Sequence, residues 1–330
     1  MAATPRPTAV SPTSPSSSAV IDPAKDLATL LRQVDPRRRR TDRVMRGVIT
    51  GAFALAMLPL LSVAWTVVSH GVERFDLYFL SHSMRGVYGG IDAGGIYHAI
   101  VGTVEITLFA TLISVPIGLL TAIYLVEYGR GPLARAVTFF VDVMTGIPSI
   151  VAGLFAYALF AVILGPGIRM GVVGSVALSV LMIPVVVRSS EEMLRLVPNE
   201  LREAALALGV PRWLVVIKVV LRTAVAGIVT GVMIAVARVI GETAPLLITV
   251  GVADSINFNL FEGRMMTLPV YVYRQFQQGL IPCSADDASC IATITYDRAW
   301  AAALTLILLV MLLNLVARLV TRFFAPKTIS

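Results

Sequence analysis

Six long apolar segments separated by more polar stretches dominate the chain. Each is long enough to cross a hydrocarbon core of about 30 Å at a helical rise of about 1.5 Å per residue. In chain order they run over about 46–69, 98–126, 134–164, 171–188, 213–250 and 299–322. The pattern predicts an all-α, polytopic membrane protein whose six transmembrane helices form a bundle.

The third and fifth segments are longer than one crossing needs, and both contain glycine and proline. The residues concerned are Gly146, Pro148 and Gly153, then Gly241 and Pro245. Such residues break a helix where a cavity or neighbouring protein satisfies the freed backbone groups, which predicts functional breaks. Glycine and proline are also common in ordinary membrane helices, so composition alone leaves both interpretations open.

Basic residues are distributed unevenly between the two ends of these segments. Seven arginines stand between positions 32 and 46, and further arginines fill alternate loops, whereas the intervening loops have few. By the positive-inside rule, both termini and the basic loops are expected to be cytoplasmic, which requires an even number of spans. The net charge of +7 therefore reports topology, and no nucleic-acid partner is expected.

The N-terminal segment differs from the rest of the chain. Its first 20 residues are rich in Pro, Ser, Thr and Ala, and they lack the apolar side chains that would offset the entropy of ordering. We expect residues 1–43 to form a disordered cytoplasmic tail and residues 44–330 to form the membrane domain. The first long apolar run begins after Arg46, too late for a secretory signal, and is expected to be retained.

Composition limits the chemistry that the chain can perform. It is 57% hydrophobic and 14% charged, with a mean hydropathy of +0.82, and therefore needs a lipid solvent. Two cysteines and three scattered histidines do not supply a four-ligand zinc site. An intramembrane enzyme is the alternative class, but neither G-x-S-x-G nor H-E-x-x-H occurs. The chain also has no G-x-x-x-x-G-K-[ST] loop to hold ATP.

A short amphipathic helix is predicted in the loop after the fourth segment, over about residues 199–210. Asn199 is a suitable N-cap, and Gly209 followed by Pro211 is a stop signal. One face consists of Leu201, Ala204, Ala205 and Leu208. This ridge of small side chains is suited to docking into a groove of a partner, although the periodicity also fits a helix lying against its own bundle.

This helix resembles the EAA loop of bacterial ABC importer permeases in its residues Glu203, Ala204, Ala205 and Gly209. The resemblance extends over about residues 98–322, and Arg222 departs from it where the family usually has proline. It implies the type I (MetI-like) permease fold in a bacterial inner membrane. It also implies that the four residues couple to a separate ATPase, which binds ATP and magnesium, so that this chain carries no cofactor.

Two further segments resemble the PstA permeases of phosphate importers. They are residues 237–247, ARVIGETAPLL, and residues 184–194, PVVVRSSEEML. The resemblance implies inorganic phosphate as the cargo, with a PstC-like permease, a PstB-like ATPase dimer and a PstS-like binding protein as partners. A permease for another oxyanion, such as sulfate, molybdate or tungstate, remains the alternative.

An arginine inside a membrane span is costly, about 2.5–3.5 kcal/mol, and therefore indicates function. Counted from Arg222 near the inner interface, Arg238 lies about 24 Å along the fifth helix. Glu242 follows four residues later and pairs with Arg238 if the helix continues through Gly241. Either the two form a self-neutralising structural pair, or Arg238 attracts an anion in the pathway while Glu242 keeps the binding weak enough for release.

The predicted pathway also includes Arg188 and Thr243. No carboxylate stands as close to Arg188 within its own span, because Glu191 and Glu192 are expected only in the following loop. Arg188 is therefore a candidate second stop for the anion. A cytoplasmic anchor whose long side chain reaches the interface is the alternative.

Two cysteines, Cys283 and Cys290, fall in the loop predicted outside the membrane, over about 251–298. An oxidising compartment favours a disulfide between them. Two free thiols are the alternative, since sequence does not give the geometry of the pair.

Overall fold

The computed structural model describes residues 36–284 and 289–324, which are predominantly helical. These residues contain no β-strand, only an isolated bridge between Ile91 and Cys290. Their α-helices are α1 Pro36–Gly71, α2 Leu77–Ser81, α3 Tyr97–Ile123, α4 Gly131–Thr145, α5 Ser149–Leu164, α6 Gly171–Arg195, α7 Asn199–Ala207, α8 Arg212–Val215, α9 Leu221–Ile240, α10 Ala244–Thr249, α11 Leu268–Gln278 and α12 Ile294–Phe324. Short π-helical turns continue α3 over Tyr124–Tyr128 and join α8 to α9 over Val216–Val220.

Five helical stretches in the described residues are long and apolar enough to cross a membrane, and the bent pair α4–α5 passes the same test when its two helices are taken together. The five are Arg37–Arg74, Tyr97–Tyr128, Gly171–Arg195, Arg212–Ile240 and Ile294–Leu319. The predicted all-α membrane bundle is confirmed, with five candidate crossings, or six if α4 and α5 form one broken span.

Both segments predicted to break do so, the third at Gly146 to Pro148 and the fifth at Gly241, whereas Gly153 and Pro245 lie within the helices that follow. The third bends by 109° between Thr145 and Ser149, because Pro148 restricts the residue before it and has no N–H to continue the ladder. In the fifth segment, α9 ends at Ile240 and α10 restarts at Ala244. The two breaks meet in space, since α10 packs against α5.

Gly153 shows why this contact needs a glycine. A Cβ atom at Gly153 would lie 2.6 Å from the Cα atom of Pro245, at the start of α10. The absent side chain therefore lets the backbones of α5 and α10 approach closely. Small-residue contacts of this kind are the usual means by which membrane helices pack.

Helix α6 is at the centre of the bundle, and 72% of the residues in its most apolar 18-residue stretch are buried. It packs against α3 on one side and α9 on the other. Its Ser175 and Ser179 hydroxyls donate to the carbonyls of Ile106 and Ala110 in α3, at 3.1 and 3.4 Å. Hydroxyl-to-carbonyl bonds between helices replace the water that the membrane interior lacks.

The chain divides into two compact units, one ending at Ser62 and the other beginning at Val63. In the first, α1 begins at Pro36, whereas the sequence placed the start of the membrane domain at residue 44. Proline suits the first turn of a helix and arginine is a good helix former, so the arginine-rich stretch continues α1 at its N-terminus. The remainder of the expected tail, residues 1–35, lies outside the described residues.

At the end of the bundle where α6 begins, Arg298 is buried, although the sequence placed it in a loop. Helix α12 already begins at Ile294, and the Arg298 side chain is 2% exposed. Its Nη2 donates to the carbonyls of Ile91 and Ala93, at 2.7 and 2.8 Å. The arginine therefore fastens the segment before α3 to the last helix.

Candidate functional site: the coupling helix and the membrane arginines

The predicted short helix is present as α7, Asn199–Ala207, and the predicted stop residue Gly209 follows two residues after its end. Gly209 has φ +80°, and the Val210 N–H donates to the Ala205 carbonyl at 3.3 Å. The prediction that Asn199 caps the helix is wrong. The helix begins at Asn199 itself, whose Oδ1 instead accepts a bond from Arg202 Nη1 at 3.0 Å.

The face of α7 that was expected to dock is uncovered in this chain. No residue of α7 is buried, and Leu201 and Leu208 are 45% and 84% exposed. Glu203 and Ala204 are also exposed, and only Ala205 packs in part against the bundle. An uncovered ridge of small side chains fits docking to another chain better than burial against its own bundle.

One pair of residues, which sequence reasoning missed, attaches α7 to the bundle. Arg202 Nε lies 3.1 Å from Glu127 Oε1, and its Nη2 donates to the Leu194 carbonyl at 2.8 Å. The Arg202 and Glu127 side chains are 15% and 8% exposed. Glu127 lies in the π-helical turn after α3, so the Arg202–Glu127 pair joins two distant parts of the chain. A separation of 75 residues leaves no local pattern by which to find it.

A second arginine reinforces this attachment. Arg212 donates to the backbone carbonyl of Glu127, and its guanidinium carbon lies 5.3 Å from the centre of the Tyr128 ring. Glu127, Arg202 and Arg212 border a polar cavity of about 540 Å³ beside α7. Hydrogen bonds therefore connect α7 to the end of α3 and the end of α6, and connect the start of α8 to the same part of α3.

Arg238 lies in the last turn of α9 and its side chain is exposed. The expected ion pair with Glu242 does not form, because α9 ends at Ile240 and the helix does not continue through Gly241. The Glu242 N–H donates to the Val239 carbonyl at 3.2 Å in a turn. Among the described residues, no carboxylate oxygen lies within 4.0 Å of the Arg238 guanidinium.

Arg188, in contrast, is held between two carboxylates. It forms an ion pair with Asp142 of α4, and its Nη1 donates to Glu191 Oε2 at 2.9 Å. The expectation that Glu191 belongs to a loop is wrong, since α6 continues as a helix to Arg195 and places Glu191 one turn from Arg188. Arg195 also binds Glu191, at 2.7 Å, which completes the charge network.

The structure does not bring the predicted pathway residues together. Gly231 of α9 faces Ser189 of α6, because a Cβ atom there would lie 2.5 Å from the Ser189 hydroxyl. Arg238, seven residues beyond Gly231, therefore lies about 10 Å further along α9 than the level of Arg188. Thr243 precedes α10 in the break, partly buried, and its side chain does not cap that helix.

The cysteines are joined in the structure. A disulfide links Cys283 to Cys290 with a Cα–Cα distance of 5.7 Å. Cys290 lies at the isolated bridge with Ile91, so this cysteine lies beside the segment before α3. The intervening residues 285–288 lie outside the described residues.

Comparison with known proteins adds to this geometry. Residues 114–330 match the family described as "Binding-protein-dependent transport system inner membrane component". The chain is 44% identical over 306 residues to the phosphate transport system permease protein PstA of Mycobacterium leprae, covering 92% of this chain and 95% of the relative. It is 38% identical over 287 residues to PstA of Pasteurella multocida, covering 85% and 94%.

Solved structures show the fold. The inward-facing MetNI methionine ABC transporter aligns with a TM-score of 0.52 at 22% identity, over 70% of this chain and 95% of the other. A bacterial alginate ABC transporter, solved with an alginate-bound periplasmic protein, aligns with a TM-score of 0.56 at 13% identity. That alignment covers 88% of this chain and 97% of the other. The described bundle therefore has the fold of ABC importer permeases.

Proposed function

Because the chain belongs to the family of binding-protein-dependent transport system inner membrane components, we propose that it is the permease subunit of an ATP-driven importer of inorganic phosphate. It is a multi-pass inner-membrane protein. The relatives at 44% and 38% identity are named phosphate permeases, which supports phosphate over the other oxyanions. Within this chain, the proposal rests on one observation: Arg238 is exposed and has no carboxylate partner among the described residues.

Arg238 lies in the last turn of the candidate membrane span Arg212–Ile240, exposed on this chain and without a carboxylate partner among the described residues. A guanidinium facing lipid there costs several kcal/mol, so the side chain must face protein or a water-filled route. An exposed cation beside a broken helix is therefore suited to meet an anion on a surface that a second subunit completes.

The planar guanidinium fork binds two oxygens of an oxyanion at once, which suits phosphate better than a point charge does. Glu242 lies in the break two residues after the end of α9 and is partly buried. Its negative charge near the route weakens the hold on an anion, and a conducting site must also release what it binds. Thr243 offers a hydroxyl in the same break.

The proposal includes the rest of the importer. A PstC-like permease completes the pathway, and a PstB-like ATPase dimer docks on the exposed face of α7 around Glu203 and Gly209. A PstS-like binding protein delivers phosphate at the end where α6 begins. ATP and magnesium are bound by the ATPase and this chain holds no cofactor. Both termini and α7 face the cytoplasm, in keeping with the positive-inside rule.

Uptake of labelled phosphate into a bacterial strain deleted for this chain tests the proposal. We expect the restored chain to return uptake, and unlabelled sulfate, molybdate or tungstate in excess to leave it unchanged. If one of these anions is transported instead, the permease class stands and the cargo assignment fails. If no oxyanion is transported although the complex assembles, the function is wrong.

A further inference from the structure

Two arginines from separate loops converge beside one glycine at the end of the bundle where α6 begins. Gly251 follows α10 and has φ +79°. A Cβ atom built on it would lie 2.9 Å from the Cδ atom of Arg169 and 3.3 Å from the Cδ atom of Arg264. The two side chains therefore lie close to one another, over a backbone position that has no side chain of its own.

Hydrogen bonds fix the main chain at both arginines. The Met170 N–H, next to Arg169, donates to the Thr249 carbonyl at 3.1 Å. The Arg264 carbonyl accepts a bond from the Asn257 side chain, through Nδ2, at 3.2 Å. Gly251 itself stands two residues after Thr249. The fold therefore sets the backbone positions from which the two side chains reach Gly251.

Neither arginine is neutralised by the described part of the chain. Both side chains are exposed, and no carboxylate oxygen of a described residue lies within 4.0 Å of either. The acidic residue nearest to Arg264 in sequence, Glu262, has its Oε2 3.5 Å from Asn259 Nδ2 instead. Elsewhere at this end of the bundle, Arg274 is paired with Asp254 at 2.5 Å.

Two arginine side chains whose Cδ atoms both lie beside Gly251 bring two positive charges to one small region of the surface. Because each side chain ends in a planar guanidinium fork, the two together can reach and donate to several oxygens of a single tetrahedral anion. A surface where the protein concentrates positive charge also raises the local concentration of an anionic substrate. The arrangement therefore has the chemistry of a phosphate-receiving site.

We propose that Arg169 and Arg264 form an oxyanion-receiving site that accepts phosphate before it reaches Arg238. The inference rests on the proposed function and adds two further cargo-binding residues to Arg238. Helix α10, about 9 Å long, connects the break next to Arg238 with Gly251. Cargo released at this end of the bundle meets the arginine pair before the deeper single arginine.

The test uses the assembled importer in proteoliposomes, with its ATPase and a phosphate-loaded binding protein. Two quantities are measured: uptake of labelled phosphate, and stimulation of ATP hydrolysis by the loaded binding protein. The variants are Arg169→Gln with Arg264→Gln, together and singly. Arg85→Gln is the matched control, because Arg85 is also exposed, lies in the segment before α3 and carries the same charge.

We expect the double variant to lower uptake about tenfold or more, which corresponds to losing one or two charge-assisted hydrogen bonds. ATPase stimulation should stay at the wild-type level, and Arg85→Gln should change neither quantity. Unchanged uptake by the assembled double variant would overturn the proposal. It is equally overturned if ATPase stimulation falls in parallel and more binding protein restores both, since the pair then docks a protein surface. If the wild-type complex itself carries no phosphate, the proposed function fails rather than the site.

Discussion

Arg202 and Arg238 are two arginines of one bundle whose surroundings differ. Arg202 is nearly buried, paired with Glu127 and bonded to backbone carbonyls. Arg238 is exposed, and no described carboxylate is within reach of it. A buried arginine whose donors are all hydrogen-bonded stabilises the fold. An exposed arginine in a membrane-spanning helix needs a ligand or another chain to bind its donors.

The same contrast separates the two arginines that the sequence placed together in the pathway. Arg188 is neutralised by Asp142 and Glu191, and the network extends to Arg195. Its donors are engaged, so an anion would have to displace carboxylates in order to bind. No carboxylate among the described residues binds Arg238. We therefore propose that, of these two arginines, only Arg238 contacts the cargo.

The largest expected effect comes from removing the unpaired arginine. Arg238→Ala should abolish phosphate uptake, by about a hundredfold or more, while the complex still assembles and hydrolyses ATP, because the bidentate contact to the anion is lost. Arg238→Lys should retain only part of the uptake, since an ammonium lacks the planar fork. Labelled phosphate uptake and copurification of the subunits measure both effects.

Arg222→Ala is the matched control, since Arg222 is an exposed arginine near the other end of the same helix. Its uptake should remain close to that of the wild type. Glu242→Gln sharpens the result further: with no ion pair in the structure, assembly should persist while release of the anion slows. Normal uptake by an assembled Arg238→Ala complex would falsify the cargo role.

The Arg202–Glu127 pair should give the next largest effect, on coupling. Arg202→Ala leaves Glu127 buried without its partner, a change that costs about 3 kcal/mol for a broken buried pair. The attachment of α7 to the bundle should loosen, so that uptake falls about tenfold while ATP hydrolysis no longer depends on the loaded binding protein. Reconstituted complex, assayed for both activities, provides the measurement.

Glu127→Gln keeps a hydrogen-bond acceptor for Arg202 and removes only the charge. Its effect on coupling should therefore be several times smaller than that of Arg202→Ala. Equal loss in the two variants would show that the charge, and not the attachment, controls coupling. Wild-type coupling in Arg202→Ala would remove the pair from the mechanism altogether.

How much of this could be read from the sequence depends on how local each signal is. The breaks at Pro148 and Gly241 and the glycine stop at Gly209 were predictable, because they arise from the backbone chemistry of single residues. The Arg202–Glu127 pair was not, since its partners come together only when α3 and α6 pack. The Arg238–Glu242 pair was predicted on helical spacing, which the break at Gly241 removes.

The network around Arg188 illustrates the same limit. The spacing between Arg188 and Glu191 can be read from the sequence, but Glu191 was expected in a loop, so their contact along one helix was not predicted. Asp142 belongs to another helix, 46 residues away. Likewise, nothing in the sequence indicates that Arg169 and Arg264 meet at Gly251. Tertiary proximity decides which arginines are paired, and composition cannot report it.

The coupling face of α7 offers a third, more moderate effect. Gly209 adopts φ +80°, a conformation that costs most residues about 1–2 kcal/mol but that asparagine tolerates better. Gly209→Leu should therefore displace the end of α7, reduce copurification of the ATPase severalfold and lower uptake to match, whereas Gly209→Asn should behave nearly as the wild type. Nothing in this chain lies within 4 Å of a Cβ atom at Gly209, so crowding within the chain does not account for the difference. Equal behaviour of the two variants would exclude the backbone conformation as the cause.

The smallest effect is expected at Arg188, the arginine of the predicted pathway whose charge is neutralised by carboxylates. It tests the contrast with Arg238, which has no such partner. Arg188→Ala removes ion pairs to a half-exposed Asp142 and to Glu191, which keeps Arg195 as a partner, so stability should fall by about 1 kcal/mol. Uptake by the assembled complex should remain within about twofold of the wild type, because no cargo contact is lost. Thermal unfolding of the purified complex and phosphate uptake measure the two quantities. A large loss of uptake in Arg188→Ala with unchanged assembly would return Arg188 to the pathway, and it would show that carboxylate pairing in the resting chain does not exclude an arginine from binding the anion.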